Sequence, residues 1–194
     1  MRLILMLLLV TAMTAMTGCS ASHYGYVKSS GMVAWNQRLT SVRLEVQPVT
    51  RVAMDITKMR DPNPSNPPPQ VTESDRFATT EKAKDVIGDF QGSMKLYFPT
   101  LAKKYGLPVH DKSDDQSVLK LTVSTVKSIC YGARKCDVHL RVNTEVIDSN
   151  GASIWNADVA YQPIGPEKVM GFLATEDFMR SLVATMKRDK LLPE

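Results

Sequence analysis

From Val42 to Gln47 apolar and polar residues alternate strictly, with Val42, Leu44 and Val46 on one side and Arg43, Glu45 and Gln47 on the other. A period of two is the mark of a half-buried strand. The same parity resumes at Val52, Met54 and Ile56, which predicts one long strand interrupted at Pro48, a residue that cannot donate to a ladder and belongs on an edge or at a bulge. Prolines from Pro62 to Pro69 then stop regular structure and predict a Pro-rich loop over 61–70. The period changes to 3.6 between Thr80 and Tyr105, where Ala83, Ile87, Phe90, Met94, Tyr97, Leu101 and Tyr105 make one stripe. Thr79 or Thr80 is the expected cap, Lys103 and Lys104 suit the C-terminal dipole, and Gly106 supplies a left-handed stop. Lys82, Lys84, Asp85, Asp89 and Lys95 fill the solvated side of this helix.

After a polar loop from Asp111 to Asp115, alternation returns in three runs. Leu119, Leu121 and Val123 face in against Lys120, Thr122 and Ser124; Val138, Leu140, Val142 and Val146 face in against His139, Arg141, Asn143 and Glu145; Trp155, Ala157, Val159 and Tyr161 follow. Asp148-Ser149-Asn150-Gly151 is a hairpin turn between the last two. Pro163 to Pro166 ends this meander, and Thr175-Glu176-Asp177 opens a second helix with the stripe Phe178, Met179, Leu182, Val183 and Met186. Lys187, Arg188 and Lys190 lie in its last turns, before Pro193. The order strand, helix, three strands, helix predicts an α+β domain over 41–194, with a roughly four-stranded, mostly antiparallel sheet and two helices packed on one face.

Composition narrows the function without naming it. A net charge of +4 with no long run of one sign lacks the clustered Lys and Arg that phosphate binding needs, so nucleic acid is not an expected partner. Hydrophobic content of 43% excludes wholesale disorder. His23, His110 and His139 fall in a predicted tether, a loop and a strand, with no paired-ligand spacing, so no metal or cofactor site is expected from the sequence. There is no nucleophile elbow, no phosphate-cradling glycine loop and no carboxylate pair in an apolar setting. If both helices cover one side of the sheet, strict alternation brings Arg43, Glu45, Lys120, Thr122, His139, Arg141 and Glu145 to the other, the candidate face for a partner.

The N-terminus decides the compartment. Arg2 is the only charge before Cys19, Leu3 to Val10 form an apolar run, and small residues lead to Gly18-Cys19, the three regions of a secretory signal. The run is too short for a membrane span. The Gly18-Cys19 pair resembles the bacterial lipoprotein signal, which implies a signal peptide over 1–18, lipidation of Cys19 and a tether over 19–40; a plain secreted protein cleaved nearby is the other reading. Ser20, in place of the aspartate that marks inner-membrane retention in that family, implies the outer membrane, facing the periplasm. In layout, residues 41 to 190 resemble small envelope lipoproteins such as the lipopolysaccharide-assembly lipoprotein and the auxiliary lipoproteins of ABC-type lipid transporters. That likeness rests on no motif and carries no functional residue across. It implies a non-enzymatic accessory protein of an envelope complex; an envelope hydrolase without a recognisable motif is the alternative.

With Cys19 given to lipid, Cys130 and Cys136 are left. They flank the five residues Tyr131 to Lys135 at the inner ends of two strands, a hairpin that an oxidising compartment would close with a disulfide. A redox pair and half a metal site are the rival readings, though the spacing is not C-x-x-C and further ligands are not near in sequence.

Overall fold

In a computed structural model, residues 28–34, 38–59, 69–109, 117–131, 135–163 and 170–193 are described. The signal over 1–18, Cys19, Ser20, His23, His110, the loop from Asp111 to Asp115 and most of the Pro-rich loop lie outside them. Strands β1 (Lys28–Ser29), β2 (Val42–Val46) and β3 (Ala53–Lys58) precede helix α1 (Glu73–Tyr105); β4 (Ser117–Cys130), β5 (Cys136–Ile147) and β6 (Ser153–Tyr161) follow, and α2 (Met170–Arg188) ends the order. The α+β class is as expected. The sheet is not the four-stranded, mostly antiparallel one: six strands run β1-β6-β5-β4-β2, with β3 also on β4, and both β2 and β3 are parallel to β4.

The physical reason lies in the connections. A strand that returns through a long helix comes back parallel, whereas hairpins give antiparallel neighbours, so α1 between β3 and β4 makes that edge parallel while β4, β5 and β6 form the expected antiparallel meander. The interruption at Pro48 is present. β2 and β3 lie on the same edge of β4, and residues 47–52 span the gap between Val46, opposite Leu121, and Ala53, opposite Thr125. A bulge between Val123 and Thr125, where β4 pairs with β5, falls at the same level. It inserts Ser124 and shifts the parity of the rest of β4, so that Val126, Ser128 and Cys130 continue the buried side.

β1 is too short for any periodicity, and it changes the reading of the tether. Lys28 and Ser29 pair with Asp158 and Ala157 of β6; Val33 donates to the carbonyl of Asp189 at 3.0 Å and Leu39 to that of Leu191 at 2.9 Å. Leu39 is buried in the core. The described part of the predicted tether, from Lys28 on, is therefore folded onto the β6 edge and the C-terminus.

Both helices cover one face of the sheet. The core joins Phe90, Met94, Phe98 and Leu101 of α1 and Phe178, Met179 and Leu182 of α2 to Leu119, Leu121, Leu140, Val142, Trp155 and Val159 of the strands. The predicted stripes are largely the buried ones, with Ile87, Tyr97 and Tyr105 only partly buried and Val86, Phe98 and Ala102 added. Helix α1 starts seven residues before Thr80. Thr72 is its cap, in a reciprocal capping box with Asp75, because a hydroxyl that accepts from the third helical N–H while that residue's carboxylate accepts from the cap satisfies two orphan donors together. Gly106 ends the helix with φ 78°, as expected. Helix α2 likewise begins at Met170, ahead of Thr175. No helix among the described residues is long and apolar enough to cross a membrane.

Candidate functional site

The register across the sheet places all seven residues of the candidate face on the side away from the helices. Glu45 lies opposite Lys120, Lys120 opposite Glu145, and Glu145 opposite Asn156, one row across four strands. The next row is Thr122, Asn143, Asp158 and Lys28, and beyond the bulge come Thr125 with Arg141 and Lys127 with His139. Arg43 stands one step from Glu45 toward the other end, beside Val118. Opposite charges that face each other across a sheet contribute a few tenths of a kcal/mol each, so this alternation stabilises the face only modestly while keeping it nearly neutral.

Three further residues join this face that the predicted set leaves out. Asp55 pairs in register with Lys127 and bridges it at 3.1 Å; Lys28 belongs to a strand of two residues; and Lys127 looks inward if alternation is counted through Ser124 without a bulge. Alternation within 125–129 by itself, with Val126 and Ser128 buried, was the available signal for Lys127.

His139 is half-buried between two cations. Burial first, then the charges of Lys127 and Arg141, hold its imidazole below the ordinary value near 6.5, with Asp55 opposing. The expected result of a proton NMR titration is a midpoint below 6.5, moved up in Lys127→Met and further down in Asp55→Asn. Because the folded chain then holds this proton less tightly than the unfolded chain, stability falls as pH drops below about 6.5. A midpoint at or above 6.5 in the unmodified chain would contradict the arrangement.

The hairpin end of the sheet is the second locus. Cys130 and Cys136 are directly opposite in the β4–β5 ladder and joined by a disulfide, and Tyr131 N–H donates to the Lys135 carbonyl to close the loop. The first turn of α1 packs on this corner. Asp75, 0% exposed, accepts from Lys58 Nζ at 2.7 Å and from the N–H and hydroxyl of Thr72 at 2.9 and 2.6 Å, all on Oδ2. The Lys58 hydrogen bond, then those of Thr72, hold the carboxyl down to about 2 against the opposing effect of burial. Closing a loop this short stabilises by about 2 kcal/mol in the chain-entropy account. The Cys130→Ser/Cys136→Ser chain should lose about that much in urea unfolding, and equal midpoints for the two chains would remove this role for the bridge.

A third polar group is structural. Tyr161 donates to Asp89 Oδ2 at 2.6 Å, and Ser93 donates to Oδ1 at 3.3 Å. Burial and the Asp89 carboxylate push the phenol well above its ordinary value, so it stays a donor and ties β6 to α1.

No protein-family model and no curated protein matches the sequence. Among solved structures, the chain is similar to PelC dodecamers from Paraburkholderia phytofirmans: one has a TM-score of 0.41 and another, of a single-residue variant, 0.36. Each is 16% identical, over 88% of this chain and 99% of the other. At these values the likeness assigns no function.

Proposed function

We propose that this chain is a lipid-anchored, periplasm-facing accessory protein of a bacterial envelope complex, without enzymatic activity of its own, which docks an envelope protein through the uncovered face of its sheet. The carrying observation is the asymmetry of that sheet. One face is buried under both helices, whereas no element among the described residues packs on the other, where Arg43, Glu45, Lys120, Thr122, His139, Arg141 and Glu145 stand together. Charges held in rows by paired backbone suit recognition of a folded surface, because electrostatic complementarity sets specificity and association rate more than raw affinity. The anchor reading rests on Gly18-Cys19. From Cys19 to Lys28 the chain reaches at most about 30 Å when extended, so the β1–β6 edge sits near the bilayer and the docking face stands beside it.

Crosslinking in cells, followed by identification of what co-purifies, tests both parts. Lys120→Glu with Arg141→Glu should keep the chain folded by circular dichroism, at a modest cost from placing Glu opposite Glu45 and Glu145, and reduce the co-purifying envelope protein about tenfold or more, since like-charge juxtaposition at an interface costs several kcal/mol. Cys19→Ala should lose palmitate label and leave the outer-membrane fraction. Retention of the partner in the charge-reversed chain overturns the docking face; undiminished label in Cys19→Ala overturns the anchor.

A further inference from the structure

The corner where β3, β4 and β5 meet the first turn of α1 holds more chemistry than a bridge requires. A carboxylate oxygen of Asp75 and the sulfurs of Cys130 and Cys136 lie within 4.8 Å of one another, on three buried residues. Oδ2 of Asp75 is saturated by Lys58 and Thr72. Oδ1 is buried and has no donor among the described residues, a costly arrangement for a carboxylate taken out of water. Around Cys130, the hydroxyls of Thr79 and Ser128 stand 3.8 and 3.7 Å from its sulfur and 2.9 Å from each other. With one hydroxyl donating to the other, the second keeps its proton for the sulfur, where a thiolate would accept it.

We propose that the dithiol form of this corner is a zinc site, with the thiolates of Cys130 and Cys136 and Oδ1 of Asp75 as ligands and a fourth position left for water. Two thiolates and a carboxylate match the mixed sulfur and oxygen preference of Zn²⁺ and disfavour Mg²⁺ or Ca²⁺. Charge closes as well. Three negative ligands are balanced by Zn²⁺ and the Lys58 ammonium, so the buried set is neutral without a further partner. Thr72 and Lys58 orient the carboxylate from its other oxygen, and Thr79 and Ser128 hold the Cys130 sulfur, the outer contacts that raise metal affinity.

The exchange balances. A small dithiol delivers two electrons and two protons to the Cys130–Cys136 bond, becoming a disulfide itself, and Zn²⁺ then displaces the two thiol protons. Disulfide and zinc are thus alternative closures of the same hairpin end. This site is separate from the docking face and stands or falls independently of it.

The test is a Co²⁺ titration, as a probe for zinc, of the full chain carrying Cys19→Ser, so that only the corner thiols remain. After reduction with a phosphine, one equivalent of Co²⁺ should give sulfur-to-cobalt charge transfer in the near ultraviolet and tetrahedral bands in the visible, both displaced by Zn²⁺; the oxidised chain should give neither. Cys130→Ser should at least halve the sulfur band and Cys130→Ser/Cys136→Ser should abolish it, and Asp75→Asn should weaken Co²⁺ binding about tenfold or more. A reduced chain, folded by circular dichroism, that shows no stoichiometric sulfur band overturns the proposal, as does an affinity unchanged in Asp75→Asn. Where Asp75→Asn does not fold, melting of the reduced Cys19→Ser chain decides: Zn²⁺ should raise it by several degrees in the reduced form alone, and equal shifts in both forms overturn the site.

Discussion

Lys58→Met is expected to destabilise the chain by about 3–5 kcal/mol, because it strands a carboxylate that water cannot reach. Asp75 is 0% exposed and Lys58 18% exposed on their side chains, so the ammonium is the one that retains some hydration. Without it, Asp75 keeps, among the described residues, the two Thr72 donors on Oδ2 and none on Oδ1. The pH dependence should change in step. A carboxyl held down to about 2 in the folded state, against 3.8, adds stability that is present above about pH 4 and is lost as pH falls toward 2; in Lys58→Met this acid-side loss should shrink. Chemical unfolding across pH 2 to 7 measures both. A double-mutant cycle with Asp75→Asn sharpens the result, since removing both charges leaves none unpaired and the double variant should cost clearly less than the sum of the singles. A loss below about 1 kcal/mol for Lys58→Met would show the pair to be solvated in solution.

Phe90→Ala should cost about 3–5 kcal/mol. Its ring meets Tyr161 edge to face at 4.9 Å and Phe178 at 5.8 Å, so one side chain joins α1 to β6 and to α2. Truncation removes a fully buried ring, opens a cavity where three elements converge, and loses aromatic contacts worth about 0.5–1.5 kcal/mol each beyond their area. Phe77 on the same helix is 67% exposed and is the internal control, with Phe77→Ala expected within about 0.5 kcal/mol of the unmodified chain. Equal losses at the two positions would mean that α1 packs by another face.

Placement decides these magnitudes, and placement was only partly written in the local pattern. Phe90 was readable as core because steps of three and four confine a stripe to one side of a helix whatever it packs against. The inward and outward sets of β4, β5 and β6 were readable for the same kind of reason, since neighbouring side chains on a strand point to opposite faces. Hence His139, Arg141 and Glu145 were assigned to the right side of the sheet before any partner strand was known. Thr72 and Asp75 were also within reach, as a Thr-x-x-Asp capping box, but the buried positions of the first two turns, Asp75 and Thr79, are polar and Phe77 is exposed, so no apolar stripe marks the helix start.

What the sequence by itself determined is the two helices, the alternating strands and the two faces of the meander, because each depends on contacts a few residues apart and on backbone geometry that repeats locally. Pairing of Cys130 with Cys136 belongs there too, being the closure of one hairpin. Only the tertiary structure decided that β2 and β3 run parallel to β4, that Lys28, Ser29, Val33 and Leu39 join β6 and the C-terminus, and that Asp55 joins Lys127 on the open face. It alone brought Lys58 and Asp75 to the disulfide. Strand order and direction are set by how one shared core is closed, and a two-residue strand or a single bulged residue carries no period of its own to announce it.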